Sequence, residues 1–457
     1  MAYYYQPRRR SIFGGILLIL IGLIFLAHEF RPDIGIGRIF ERYWPLLLVI
    51  WGVALLFDHL FASRSGAPRA SAISGGEIGL IIILLIVVAA LAGVDWAHRH
   101  SSDFDFGMDG MFDHSYNWKT DLPAVSAKSN ATISILTDHG NITVSPADDS
   151  KVHVNVDKIA EASSEDDARQ NADRVRVKIT PQGDGFQIQP QVGGGHGFES
   201  GSVRTDLTVL VPSQSPVNLQ TNHGDIRASS LHAPITLNSR NGDLDLYDVQ
   251  GDVAATMARG DTRIDTVKGN VRLDGRGGEV DLSDITGDAT VDGEFYGPIR
   301  ARNIGKTTRF TSSVSNLTLG KLSGQMELDS GDLSISDVTG SLTLTTSNKD
   351  VSLEDIKGRI DLTDRRGDLN LRFAQQPRDD VRIADESGNI DITLPARASF
   401  TISAISRNGE IQNDFENSTL KSSTTGKNTI LQGSFGNGGP RITLSTTYGT
   451  ISIHKAE

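Results

Sequence analysis

The sequence predicts a stacked all-β repeat domain, a β-solenoid or closely related β-roll with about 18 residues per rung, behind N-terminal α-helical membrane segments. Three observations predict it. The glycine–acid–aliphatic triplets Gly224-Asp225-Ile226, Gly242-Asp243-Leu244, Gly260-Asp261-Thr262 and Gly278-Glu279-Val280 each start 18 residues after the last. Gly331-Asp332-Leu333, Lys349-Asp350-Val351 and Gly367-Asp368-Leu369 resume the same step. A second glycine series lies half a period away: Gly251, Gly269, Gly287, Gly305, Gly324, Gly340 and Gly358. A fixed period of this length marks an architecture of stacked repeats. Third, the first hundred residues hold three long apolar runs that no β repeat needs.

One repeat shows why the stack forms. In Asn241–Val249, Leu244 and Leu246 alternate with Asp243 and Asp245, the period-two pattern of a half-buried strand. Gly251-Asp252-Val253 opens the next short strand. Asn-Gly and Gly-Asp supply the positive φ and the side-chain-to-backbone bonds of a tight corner. One repeat is therefore two strands and two corners, and neither strand can bury its aliphatic face alone. Stacking repeats, each about 4.8 Å from the next, buries a continuous ladder of Leu, Ile and Val. Left-handed hexapeptide helices do not fit, because the sub-period here is nine. Calcium-binding nonapeptide rolls need Gly-Gly-x-Gly-x-Asp, and the nearest approach, Gly275-Arg276-Gly277-Gly278-Glu279, occurs once and lacks the Asp.

The apolar runs are Ile12–Ala27, Trp44–Phe57 and Ile78–Val94. With flanking residues they reach the roughly 17–25 residues that span a bilayer, giving spans near 12–28, 44–61 and 78–95. Tyr43, Trp44 and Trp96 stand at span ends, where amphipathic rings favour the interface. Gly15 and Gly22 share a helix face and let the first two spans pack closely. No small-x-small cleavage site follows the first run, which argues against a secretory signal. Arg8, Arg9 and Arg10 place the N-terminus in the cytosol, and Arg64 and Arg69 place the 62–77 loop there too. Three spans then deliver everything after Asp95 to the outside of the inner, cytoplasmic membrane.

Residues 96–124 read as a polar juxtamembrane linker, 125–220 as a β-rich N-terminal cap, 221–412 as the repeats and 413–457 as a C-terminal cap. Within the first cap, Ser163–Ala172 is the one helix expected outside the membrane, with Ser164 as N-cap, and Gly193–Gly201 is a loop. After Asn370 the step lengthens to 21, giving Gly388-Asn389-Ile390 and Gly409-Glu410-Ile411. Thr419–Gly439 reads as a loop. Arg441–Ser445 and Thr450–His454 read as a closing hairpin around Tyr448-Gly449. The caps hide the open ladder edges.

Charge and composition exclude several classes. The 457-residue chain carries a net −12, while residues 1–77 alone carry +3. The β part is thus acidic, which argues against nucleic acid, a ligand that wants basic stripes. There is no cysteine, so disulfides and thiolate metal sites are out.

Two family resemblances follow from these stretches. Residues 12–61, with Gly14-Gly15-Ile16-Leu17-Leu18 and Tyr43-Trp44-Pro45-Leu46, resemble the membrane hairpin of Lia-type cell-wall-stress proteins. Residues from about 125 to 455 resemble the bacterial "putative adhesin" domain of unknown function, a β-strand-repeat family. The match rests on Asp206-Leu207-Thr208-Val209-Leu210-Val211-Pro212, the repeated Gly-Asp-Leu corners, Leu394-Pro395 and Tyr448-Gly449-Thr450-Ile451. The resemblance implies the fold and brings no catalytic residues with it.

Candidate chemistry is confined to a few groups. Asp225, Asp243, Asp261, Glu279, Asp332, Asp350 and Asp368 recur at one corner position, interrupted at Pro298 and Asn316. They form a line, whereas glycoside hydrolysis needs two carboxylates at a defined separation, and turn chemistry alone explains a Gly-Asp corner. Stacked acids repel, and a calcium ladder is the alternative reading. His139 and His223 each precede a corner glycine, and His98, His100 and His114 lie in the linker, without metal-ligand spacing. Arg259-Gly260-Asp261 and Arg366-Gly367-Asp368 spell a cell-attachment tripeptide that chance supplies among so many Gly-Asp corners. The expectation is a non-enzymatic envelope protein with no catalytic, cofactor-binding or metal residues. It presents the repeat domain for binding, adhesion or envelope-stress sensing, with an envelope protein or polysaccharide as ligand. The alternatives are a carbohydrate-active β-helix enzyme and a self-assembling structural solenoid.

Overall fold

Leu244 and Leu246 are fully buried and Asp243 and Asp245 exposed, as the alternation requires. The structure, a computed structural model, describes residues 114–128, 130–193, 203–416 and 418–456. The three expected spans, the cytosolic loop, His98, His100 and the glycine loop after Gly193 lie outside the described residues. Among the described residues no helix is long and apolar enough to cross a membrane.

The domain is an all-β repeat in which each strand pairs with the strand one repeat away. On one face Ile226, Leu244, Thr262, Val280 and Ile299 are consecutive parallel partners. On the other, Val217, Ile235, Val253, Val271, Ala289 and Thr308 are. The inward residues of both faces form one continuous core.

Simple alternation fails once per repeat. Ser230, Asp248, Thr266, Asp284, Asn303, Asp337 and Asp355 all have φ between 51° and 58°. This left-handed residue interrupts the pairing, as between Tyr247 and Val249, and turns the strand so that Val249 points inward. Asp and Asn tolerate that conformation at least cost. Thr266 is the strained member of the series.

The stack is not parallel throughout. Asn316–Leu328 is a 13-residue strand lying antiparallel to both neighbours. Its first half pairs with Thr308–Thr311 and Leu342–Thr345, its second with Ile299–Arg302 and Leu333–Ile335. The turn at Ser312–Ser315 sends the chain back, closed by Ser312 N–H donating to Ser315 O. This reversed strand is why the glycine–acid series breaks between Glu279 and Asp332.

The N-terminal section differs from expectation in two places. Ile133–Pro146 is itself a rung, stacked in parallel under Val217–His223 and Ile226–Ala228. Residues 151–211 then loop back beneath it, with Phe186–Ile188 on Ile133–Ile135 and Leu207–Val211 on Ile142–Pro146. Antiparallel strands Val175–Gln182 and Lys151–Ala162 follow on each face. His114–Asp121, read as linker, is a strand pairing with Lys151–Ala162, because Tyr116 and Trp118 find an apolar seat against Ala160, Ala168 and Val203. The helix Glu165–Arg174 forms as expected, with Ser164 Oγ accepting from Asp167 N–H at 3.2 Å.

The C-terminal end corrects the expectation most. Arg441–Thr446 and Ile451–Ala456 do not pair with each other as a hairpin. Arg441–Thr446 lies between Val381–Ala384 and Phe400–Ser406, parallel to both. Ile451–Ala456 lies between Ile390–Pro395 and Ile411–Asn413. The last residues are thus an internal rung, because an interior position buries Ile442, Leu444, Ile451 and Ile453 completely. The stretch Thr419–Gly439, read as a loop, instead contains the hairpin Lys421–Thr425 and Asn428–Phe435, which covers Phe400–Ser406. It turns at Gly426 with φ 64°. Phe400, Phe415 and Phe435 pack ring on ring beneath it, with centroids 4.9–5.7 Å apart.

Candidate functional site

The corner acids are brought into one column by the register, and Asp225, Asp243, Asp261, Asp350 and Asp368 each accept a backbone N–H of the next rung. Asp225 Oδ1 accepts the Asp243 N–H at 3.1 Å, Asp243 Oδ1 that of Asp261 at 2.8 Å, and Asp261 Oδ1 that of Glu279 at 2.8 Å. Beyond the antiparallel strand, Asp350 Oδ1 accepts from Asp368 N–H at 2.8 Å and Asp368 Oδ1 from Asn389 N–H at 2.9 Å. The column extends past the acids read from the sequence. Asp206 Oδ1 accepts from Asn141 N–H, Asn141 Oδ1 from Asp225 N–H, and Asn389 Oδ1 from Thr450 N–H. These members escape the 18-residue step because insertions separate them in sequence. A shorter column at the other corner links Asp252, Asn270, Asp288 and Thr307 in the same way. The backbone amide donor on each of those first five carboxylates offsets part of the repulsion of stacked acids.

The outward face carries a second ordered column. Arg227, Asp245, Arg263, Asp281, Arg300 and Glu327 are consecutive cross-strand partners, alternating in charge. Opposite charges directly across strands stabilise a sheet by roughly 0.2–1 kcal/mol each. Arg300 bridges Glu279 and Glu327. The next members, Ser334, Ser352 and Asn370, are short. Their small side chains leave a groove of about 510 Å3 walled by Glu327, Asp329, Asp332, Asp350 and Asp368. Of the seven acids read from the sequence, the structure therefore gathers Asp332, Asp350 and Asp368 around one hollow and leaves the other four along a wall. Sequence reasoning missed the groove, whose signal is the loss of Arg from the alternating column.

His139 and His223 are partners in adjacent rungs, with rings stacked at 4.5 Å and 10°. Burial, then the neighbouring His223, holds His139 below its ordinary value, with Asp138 opposing. Among the described residues no three His, Asp or Glu side chains form a metal-holding group. His114 lies on the outer strand, edge-on to Tyr116. Both Arg-Gly-Asp tripeptides are corners, and their Asp261 and Asp368 carboxylates belong to the ladder.

Stacked strands joined by amide-bonded corner acids define an all-β repeat domain. The chain belongs to the Toastrack DUF4097 family, whose model matches residues 130–454. Residues 12–56 match the LiaI-LiaF-like transmembrane region. No curated protein matches the chain. Among solved structures it is similar to a "putative cell adhesion protein" from Clostridium sporogenes ATCC 15579, at 10% identity and TM-score 0.18, over 75% of this chain and 100% of that one. It is also similar to a "putative adhesin" from Parabacteroides merdae ATCC 43184, at 12% identity and TM-score 0.20, over 61% and 89%. A "putative lipid binding protein" from Parabacteroides distasonis ATCC 8503 matches at 12% identity and TM-score 0.17, over 75% and 97%.

Proposed function

We propose that the chain is a non-enzymatic, multi-pass protein of the inner membrane that presents an extracytoplasmic β-solenoid, about 18 residues per rung, for binding or envelope sensing. Membrane helices at 12–28, 44–61 and 78–95 flank a cytosolic loop at 62–77 and leave the N-terminus in the cytosol. The observation that carries this reading is the conjunction, on one chain, of a LiaI-LiaF-like membrane region with a Toastrack domain. The corner carboxylates of that domain are engaged in joining rung to rung. The ligand is an envelope protein or polysaccharide, taken on the outward face.

One observation favours the enzyme reading. The groove walled by Glu327, Asp329, Asp332, Asp350 and Asp368 brings several carboxylates together. The two readings separate in a single experiment with the full chain in detergent and purified peptidoglycan sacculi. The proposal expects the protein to sediment with the sacculi while reducing ends stay at the level of the no-protein control. A rise in reducing ends that Asp350→Asn abolishes would make it a glycan-cleaving enzyme. Absence of co-sedimentation would remove this polysaccharide as the ligand.

A further inference from the structure

Inside the corner runs a second, buried column, three residues before each corner glycine or, at Thr346, before the Lys349 that takes a glycine's place. After the antiparallel strand it comprises Thr346, Asp364, Asp385, Thr446 and Ser406, none more than 7% exposed. Backbone bonds fix the order: Thr346 N–H donates to Thr363 O, Asp364 N–H to Ala384 O, Asp385 N–H to Ser445 O, and Arg407 N–H to Thr446 O. Thr346 Oγ1 pairs with Ser315 Oγ at 2.8 Å, whereas three other hydroxyls of the column donate to the corner carbonyl of the preceding rung. Thr446 Oγ1 donates to Gly388 O at 3.3 Å, Ser406 Oγ to Gly449 O at 2.8 Å, and Thr221 Oγ1, far up the stack, to Gly140 O at 3.3 Å.

Asp364 and Asp385 occupy the same seat. A Cβ placed on the rung's own glycine would lie 3.0 Å from Asp364 Oδ2 and 2.9 Å from Asp385 Oδ2. The corresponding distances to Thr446 Oγ1 and Ser406 Oγ are 3.3 and 2.8 Å. That point on Gly388 is 2.0 Å from Gly367 O, as the one on Gly449 is 1.9 Å from Gly388 O. Yet all four carboxylate oxygens are buried and make no well-formed hydrogen bond; the N–H groups of Ser387 and Glu386 only approach Asp385, and those of Arg365, Arg366 and Lys349 only approach Asp364. A carboxylate cannot donate to a carbonyl, and a carboxylic acid can.

We propose that Asp385 is a carboxylic acid in the folded domain, donating through Oδ2 to the Gly367 carbonyl as Thr446 donates to Gly388, and that loss of its proton loosens the C-terminal rungs. The charges around the pair select Asp385 over Asp364. The ammonium of Lys349, which stands at a corner-glycine position, is folded inward onto Ser330 O at 3.0 Å and Asp329 O. It is attracted by Asp329, Asp332 and then Asp364; burial pushes Asp364 up as well, but three backbone N–H groups, of Arg365, Arg366 and Lys349, oppose that, against two at Asp385. Asp385 faces Asp364, Arg366 and Asp368 from the preceding rung and Glu386 in its own corner, while Ser445–Tyr448 on the following rung brings no charge. Burial first, then Asp364 and Asp368, push Asp385 up to about 6, against the N–H groups of Ser387 and Glu386. Because the folded value is raised, the stabilisation is fully present below the ordinary value of 3.8 and is lost as pH rises through about 6.

Hydrogen exchange of the full chain in detergent, corrected for the intrinsic pH dependence of exchange, tests this. From pH 5 to 8, amides of 381–395 and 441–453 are expected to lose protection by roughly tenfold, while 226–249 changes little. Asp385→Thr restores the hydroxyl of the neighbouring rungs and is expected to remove the pH dependence. Asp385→Asn, which also carries a donor, is expected to do the same. A flat wild-type profile, or a slope surviving in either variant, overturns the proposal. So does a slope that added calcium abolishes, which would assign the pair to a cation.

Discussion

Removing residues 441–456 is expected to unfold the C-terminal end of the β domain. A chain stopped at Pro440 loses a rung paired on both sides, not a tail. Val381 and Ile402 both lose their pairing to Ile442, and Ile390 and Ile411 theirs to Ile451. Four fully buried aliphatic side chains leave with it. At about 2–4 kcal/mol for each large buried aliphatic, the loss rivals the whole stability of an ordinary domain, about 5–15 kcal/mol. Limited proteolysis is expected to cut the truncated protein rapidly between 381 and 439 while leaving fragments from 217–311 intact. A closing hairpin at the end of the stack would behave differently, with 381–395 remaining resistant.

The second large effect is expected at a corner glycine. Gly242 has φ +142°, and a Cβ there would sit 2.1 Å from Gly224 O and 2.5 Å from its carbonyl carbon. Those are backbone atoms held by the ladder, so neither can move without shifting the rung. Gly242→Val therefore combines an unfavourable backbone conformation with direct overlap, and a loss of about 3 kcal/mol or more is expected in denaturant unfolding. Gly331→Ala is the control. Nothing lies within 4 Å of its Cβ position, so its effect is expected within about 0.5 kcal/mol. Equal effects at the two positions would contradict the close rung-to-rung contact at the corner.

How far the sequence reveals this molecule depends on whether partners are one period apart. The Gly-Asp corners from Gly224 to Glu279 announce a stack because each rung follows directly on the last, and Leu244 and Leu246 are buried as alternation demands. The same reading misplaces what comes after Leu246. A residue in the left-handed region at Asp248 resets the alternation, and exposed Asp residues such as Asp243 and Asp245 stand in the same stretch, so nothing marks it out. Rungs joined by long insertions are harder still. Ile133 pairs with Val217 and Ile442 with Val381, and no local period records either pairing. The corner acids are legible as turn residues, and their amide-accepting role follows once the register is known. The buried Asp364 and Asp385 are hidden for a related reason, since only the stack reveals that hydroxyls fill the same seat elsewhere.

The claim on which the account rests most heavily is that the β domain stands outside the inner membrane. Its most direct test is protease accessibility of residues 114–456 in intact cells, in cells with a permeabilised outer barrier, and in lysed cells. The account predicts cleavage, at linker sites after Asp95, before the inner membrane is broken. Protection until lysis would invert the topology, place the domain in the cytosol and exclude an envelope ligand.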